Sequence, residues 1–365
     1  MVSARYVSSG RLRGEPVATP PLRLAIVGLG WVARDYMLPA IGQTAGVELV
    51  AVCDVAEPPA GLLPPRARHF ADLAAMLAEV APDAVYIATP NHLHVAQAAT
   101  CLEAGVAVLC EKPIAPTAAE AARLASVVER TGVPYATAFD QRYHPAHVRL
   151  ADLVRAGRIG TPTQVRLDYA CWLPGDWSPD AAAGGAPAPD NWRVDRARAG
   201  GGAVIDLAPH GLDLAEVVTG QRLTRLTGLL QDHVHDYDVD DGGALLGRFD
   251  GGALLVHTVG YNRPETLPRR RLEVTGTAGM LVAENTMGQT AGGTLALIDA
   301  RTGRREDVGF DVSRSPFTGQ LEAFAKTCRG ARGPSRTVGD DVRLHRLLER
   351  ALAGAEPPRR NEPTD

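Results

Sequence analysis

Asp206 and His210 lie four residues apart in Gly200–Asp213, GGGAVIDLAPHGLD, directly after three consecutive glycines. On a helix that spacing places both side chains on one face, one turn above the other. An acid beside an imidazole makes a proton-transfer pair, because the carboxylate fixes the imidazole tautomer and holds its pKa within reach of neutrality. The alternative is that Asp206 caps the helix and His210 packs. A second chemical hint comes from the basic residues: of 38 lysines plus arginines only Lys112 and Lys326 are lysines. In a chain that uses arginine wherever a positive charge serves, a retained lysine suggests a position that wants an amine.

The elements that must position these groups begin with an apolar run, LRLAIV at 22–27, ending in Gly28-Leu29-Gly30-Trp31-Val32-Ala33 and passing into a helical pattern to about Thr44. A second apolar run from Glu48 ends at Asp54. Strand, glycine turn, helix, strand and acid is the order of a dinucleotide-binding βαβ unit. Gly28 allows the tight turn, Gly30 the approach of a pyrophosphate, and Ala33 stands at the helix–strand contact. The helix start at Leu29, Trp31 and Val32 offers free N–H groups to phosphate. Asp54 is expected to accept from the adenosine ribose and to repel a 2′-phosphate, which favours NAD and leaves NADP as the alternative.

The alternation continues through a helix at 71–80, a strand from Asp83, the loop Thr89-Pro90-Asn91-His92-Leu93-His94, a strand from Val106 ending in Glu111-Lys112-Pro113, a helix to about Arg130 and a strand from Val133. This predicts a parallel sheet wound on both sides, with Gly28, Asp54, Thr89 and Lys112 gathered along the rim at the strands' carboxyl ends. After Gln141 the pattern changes to a helix at 145–156, a strand near 162–171, a long Ala/Gly/Pro loop (174–189) ending at Asn191-Trp192-Arg193, a helix at 203–218, and then β-type runs joined by short turns. The second part is therefore α+β with a mainly antiparallel sheet. Helices at about 317–328 and 339–353 close the chain. The expected division is a flexible extension (1–20), a dinucleotide-binding domain (21–140), a substrate-binding and oligomerisation domain (141–355) and a disordered tail (356–365).

A hydrophobic content of 45%, 22% charged residues and a net charge of −4 describe an ordinary globular protein with no electrostatic pull toward nucleic acid or anionic membranes. No apolar run approaches a membrane span. Five cysteines without a CxxC pair indicate neither a disulfide framework nor a zinc site, and a reducing cytoplasm is the simplest expectation. The acidic run at 233–241 is read as a solvated loop rather than a metal site.

AIVGLG with Ala33, VCD at 52–54, ATPNHLH at 88–94, CEKP at 110–113, RYHP at 142–145 and GGGAVIDLAPH at 200–210, in this order and spacing, resemble the glucose-fructose oxidoreductase and inositol dehydrogenase (Gfo/Idh/MocA) family over residues 22–355. The resemblance implies a Rossmann domain followed by an open-faced antiparallel sheet, a nicotinamide cofactor, and oxidation or reduction of a polyhydroxylated substrate: a sugar, cyclitol, aminosugar or sugar nucleotide. It places the family's catalytic residues on Lys112, Asp206 and His210. His210 takes the hydroxyl proton, Lys112 stabilises the developing oxyanion, and Asp206 orients His210. Cofactor contacts are expected from Gly28 to Val32, Asp54, Thr89, Pro90, Asn91, His94, Glu111 and Lys112, and substrate contacts from Asp140, Arg142, Trp192 and Arg193. A cis peptide before Pro113 is also implied. Two positions depart from the family pattern. Pro209 should kink or restart the helix just before His210, and Asp140, where asparagine is expected, suggests a carboxylate gripping extra hydroxyls or an amino substituent. The open sheet suggests a homodimer or homotetramer. A glycosidase using NAD for transient oxidation and a silent cofactor-binding sensor are the alternatives.

Overall fold

A computed structural model describes residues 20–178, 191–331 and 336–355. The expected extension before Pro20, most of the 174–189 loop and the tail from 356 lie outside the described residues.

The first sheet has six strands in the order β3-β2-β1-β4-β5-β6: β1 (Leu22–Val27), β2 (Val47–Cys53), β3 (Arg68–Phe70), β4 (Ala84–Ile87), β5 (Ala107–Glu111) and β6 (Tyr135–Ala138). All its pairings are parallel. Its central strands are near-continuous apolar runs because both faces are covered. Met76, Cys101, Leu102 and Leu124 pack on one side, and Met37, Ile41, Phe317 and Phe324 on the other. The covering helices are α1 (Leu38–Gln43), which continues a π-helical turn at Ala33–Met37, α2 (Leu73–Val80), α3 (His94–Glu103) and α4 (Ala118–Thr131). Asp72 and Thr117 cap α2 and α4 by accepting from Ala75 N and Glu120 N. β3 is three residues long, too short to have shown a period in the sequence.

The second sheet follows α5 (Pro145–Arg155) and has eight strands. They are β7 (Pro162–Ala170), β8 (Leu223–Gln231), β9 (Gly242–Phe249), β10 (Leu254–Gly260), β11 (Arg270–Gly276), β12 (Gly279–Glu284), β13 (Thr294–Asp299) and β14 (Arg305–Asp307), in the order β14-β13-β12-β11-β7-β10-β9-β8. Only β7 with β10 is parallel. One face is covered by α5 and by α6 (Ala203–Thr219). The other face carries Leu229, Leu246 and Leu254, which are 68%, 60% and 46% exposed.

Helix α7 (Pro316–Cys328) corrects the expected division. Phe317, Leu321 and Phe324 enter the core of the first domain, so the chain returns to the nucleotide-binding sheet. Helix α8 (Val338–Ala353) bridges both parts, with Val342 in the first core and Leu344 and Leu348 in the second. No helix among the described residues is long and apolar enough to cross a membrane.

Candidate active site

The rim forms because β1, β2, β4 and β5 all end on one edge of the parallel sheet. Gly28 has φ +87°, and a Cβ there would lie 2.8 Å from the Ala88 backbone, so the β1 turn and the end of β4 touch through a residue that only glycine can be. No side chain caps the helix that follows. Asp54 closes this loop: Oδ2 accepts from Leu29 N at 2.7 Å and Oδ1 from Ala56 N at 2.9 Å. Arg68, which begins β3 beside this loop, pairs with Glu79. A glycine cradle, an uncapped helix start and a carboxylate at the end of β2 fit a dinucleotide with a free ribose 2′-OH.

Three residues of the next loop serve as internal braces. Thr89 Oγ1 bonds Gln97, and buried Asn91 donates to Ala199 O at 2.9 Å, just ahead of the three glycines. His94 is fully buried, with Nδ1 2.9 Å from Pro113 O and Nε2 2.9 Å from Thr89 O; burial pushes its pKa down to about 4. Its ring therefore joins the Thr89 loop to the cis Lys112–Pro113 peptide, and the expected turn toward the cofactor does not occur. Pro90 precedes the 3-10 turn at Asn91–Leu93. Glu111 also faces inward, accepting from Tyr86 OH at 2.7 Å, and burial raises its pKa.

The glycines let α6 reach the rim. A Cβ on Gly202 would lie 2.0 Å from Asp240 O. The Asp240 carboxylate takes Gly202 N at 2.9 Å and Val204 N at 2.8 Å, holding the start of α6. Asp241 is likewise buried, accepting from the amides of His233, Val234 and His235. The acidic run is a loop between β8 and β9, exposed at His233, Val234, Asp236 and Asp238 as expected, whose end supplies a pair of buried caps; among the described residues no cluster suits a metal. Helix α6 runs unbroken through Pro209, correcting the expected restart. Its flanking residues are buried on all sides, so packing holds the helix where one N–H is missing.

On this helix the expected pairing is rearranged. Asp206 Oδ1 lies 2.5 Å from Lys112 Nζ, which also donates to Asp206 O at 3.0 Å, while Oδ2 accepts from Tyr261 OH at 2.7 Å. Lys112 and the neighbouring Arg193 guanidinium hold the Asp206 carboxyl well below the usual range despite burial. His210, one turn on, has Nδ1 3.4 Å from Asp140 Oδ1, near it but without a hydrogen bond, and packs edge-on against Tyr169 and Phe139. Asp206 is consumed by a full charge within reach, so Asp140 is the carboxylate beside the imidazole. Burial, then Lys112, hold the His210 pKa well below 6.5, keeping the ring neutral. Burial and Glu111 push Asp140 up to about 7, and its Oδ2 accepts from Gln141 at 2.8 Å. Both Asp140 oxygens therefore face protein groups, which removes the ground for an amine-gripping role.

Arg142 is also redirected. It makes two 2.6 Å bonds to Asp213 on α6, and Arg336, Glu216 and Arg343 extend this buried network to α8. Its expected substrate contact is replaced by alignment of the helix that bears His210. Asp213 falls on the same helical face as Asp206 and His210, a spacing visible in the sequence. Trp192 and Arg193 sit on a 3-10 turn, with the Arg193 guanidinium 4.5 Å from the Trp192 ring and 5.3 Å from that of Trp177. Trp177 contacts Trp31 of the glycine turn at 6.1 Å. Tyr261 gave no chemical signal in the sequence, since it directly follows a β-type run far from the motifs, and Asp240 stood out only as part of the acidic run at 233–241.

A parallel doubly wound sheet that carries a glycine cradle and Lys112 on one rim, joined to a second domain whose helix α6 brings Asp206 and His210 to that rim, defines a two-domain nicotinamide-dependent oxidoreductase. Residues 22–139 match the oxidoreductase family with an NAD-binding Rossmann fold and residues 147–282 the GFO/IDH/MocA C-terminal domain, and the chain belongs to that family. It is 28% identical to the 1,5-anhydro-D-fructose reductase of Ensifer adhaerens over 328 residues, 88% of this chain and 92% of that protein. It is 28% identical to D-xylose 1-dehydrogenase (NADP(+)) 2 of Haloferax volcanii over 338 residues, 92% and 98% of the two chains. The aldose-aldose oxidoreductase of Caulobacter crescentus, complexed with glycerol, shares the fold with a TM-score of 0.78 at 22% identity, over 91% of this chain and 98% of that one.

Proposed function

We propose that this enzyme moves hydride between a nicotinamide cofactor and a ring CH–OH or keto carbon of a sugar or cyclitol, with NAD preferred over NADP. When bound, the cofactor accepts or returns the hydride; the chain's own residues position the substrate and move its proton. Gly28 to Val32 and Asp54 would hold the diphosphate and ribose. An alcohol does not ionise unaided at neutral pH, so hydride loss from carbon requires a base for the hydroxyl proton. A neutral His210, with Nδ1 turned to Asp140, leaves Nε2 as that base. The Lys112 ammonium, held by Asp206, donates to the same oxygen and stabilises its developing charge. In the reverse direction the imidazolium returns the proton.

The observation that carries this reading is the 2.5 Å pairing of Lys112 Nζ with Asp206 on the helix that presents His210 one turn later. The names of relatives that act on anhydrofructose and xylose support the substrate class. Absorbance at the nicotinamide band with a panel of sugars and cyclitols tests it. Free NADH should accumulate with a suitable alcohol, and His210→Ala should abolish this without weakening NAD binding. Unchanged turnover in that variant removes the role given to His210. The exposed Leu229, Leu246 and Leu254 on neighbouring strands support a homo-oligomer through the open sheet face.

A further inference from the structure

The cationic side chains around the rim are matched, with two exceptions. Lys112 has Asp206 and Arg142 has Asp213. The Arg193 and Arg270 side chains have no carboxylate and no hydrogen-bond acceptor among the described residues; each only overlies aromatic rings. Arg270 Nε is buried without an acceptor. Buried donors left this way are costly and call for a partner outside the chain.

These groups converge on the catalytic rim. Arg270 lies directly opposite Tyr169 across β11 and β7, so both side chains stand on one face of the sheet, and the guanidinium is 5.8 Å from the Tyr169 ring. That ring packs on His210 with centroids 5.8 Å apart. From the other side, Arg193 overlies Trp177, Trp177 meets Trp31, and Trp31 meets Tyr36 at 5.4 Å. The fields overlap as well: Arg270 acts on Tyr36 and Tyr169, Arg193 on Asp206 and Tyr261, and both on Cys171. Two guanidinium groups without carboxylates among the described residues therefore flank the approach to His210.

A neutral polyol can accept from these groups through its hydroxyl lone pairs but brings no charge to set against two guanidinium ions without carboxylates among the described residues. A carboxylate or phosphate brings acceptors alone, in the geometry a guanidinium fork matches. Resting on the hydride-transfer reading above, we infer that the substrate is an anionic sugar or cyclitol, one bearing a carboxylate or phosphate, whose oxyanion is held by Arg270 and Arg193.

Calorimetry on the NADH-loaded enzyme with D-glucuronate, D-glucose 6-phosphate and D-glucose tests this. At least one anionic probe should bind about tenfold or more tighter than D-glucose, and the carboxylate and phosphate arms distinguish the two oxyanions. Arg270→Gln should remove most of that advantage while leaving D-glucose and NADH affinities unchanged, Arg193→Gln should remove most of it as well, and Arg270→Lys should restore part of it. Thermal melts check that the variants fold, and competitive inhibition by inorganic phosphate, expected in the native protein, gives a readout free of substitutions. Equal affinity for charged and neutral probes, or variants that weaken NADH instead, overturns the inference. Turnover separates it from the reading it rests on. Neutral sugars oxidised without any anionic preference sink the anion site alone, whereas tight anion binding with no electron transfer to NAD from any sugar sinks the hydride reading alone.

Discussion

Replacing Asp140 with asparagine should make the protein more stable and less active at once. Asp140 is 3% exposed, and its pKa is raised from 3.8 to about 7. Because the folded value exceeds the unfolded one, the native state binds the extra proton between these pH values, and stability falls as pH rises through that window. A shift of about three units corresponds to at most about 4 kcal/mol by pH 8. Asp140→Asn escapes that penalty, so its advantage should grow from nothing near pH 4 to its full size at pH 8. Catalysis should move the other way. The Asp140 carboxyl, 3.4 Å from Nδ1 though not hydrogen-bonded to it, favours a proton there by its charge and leaves Nε2 as the base. An asparagine that keeps the Gln141 bond turns its NH2 toward Nδ1, which must then accept, driving the ring proton to Nε2. Turnover should drop on the order of 10²-fold or more. Urea unfolding at pH 4, 6 and 8, beside steady-state nicotinamide absorbance, reads both quantities. A variant with unchanged stability at pH 8 and unchanged turnover would refute the reasoning.

The remaining expectations are simpler. Burial lowers His94, His144 and His257 to about 4 and His147 to about 3. Unfolded histidines take up protons from about pH 6.5, so this stability is present above 6.5 and lost as pH falls toward 4, by up to about 3 kcal/mol per residue. Asp140 and Asp341 oppose the trend, and a urea midpoint that stays flat over pH 6.5 to 4 would count against the histidine effect. Gly202→Ala places a Cβ 2.0 Å from Asp240 O and should cost about 3 kcal/mol or more in denaturant unfolding. Asp54→Ser removes the carboxylate at the end of β2 and should shift the NADPH-to-NADH affinity ratio about tenfold toward NADPH in fluorescence titrations; an unchanged ratio places cofactor choice elsewhere.

The nucleotide-binding half was legible because its signals are local. An apolar run long enough to be a buried strand, a glycine turn and an acid at the next strand's end sit within one βαβ unit, and β1, β2, β4, β5 and β6 appeared where expected. The antiparallel half was legible strand by strand, apart from the three-residue β14. The domain boundary was less so, because α7 has the same amphipathic pattern whichever core it enters; Phe317 and Phe324 chose the first. Pro209 misled because a propensity rule for isolated helices met one packed on every side.

Residue types at the rim, and the gathering of Lys112 with the glycine turn, were determined by the sequence itself, since strand ends in a parallel sheet share one edge. Partnership was decided only by the tertiary structure. Asp206 and His210 are neighbours on any helix, yet Asp206 answers Lys112 and Tyr261, and His210 turns to Asp140, far from it in the chain. Arg142 goes to Asp213, and Arg193 and Arg270 have no carboxylate among the described residues. Charge pairing depends on distances of a few ångströms across a dry interface, and such distances exist only once both sheets and α6 have been packed together.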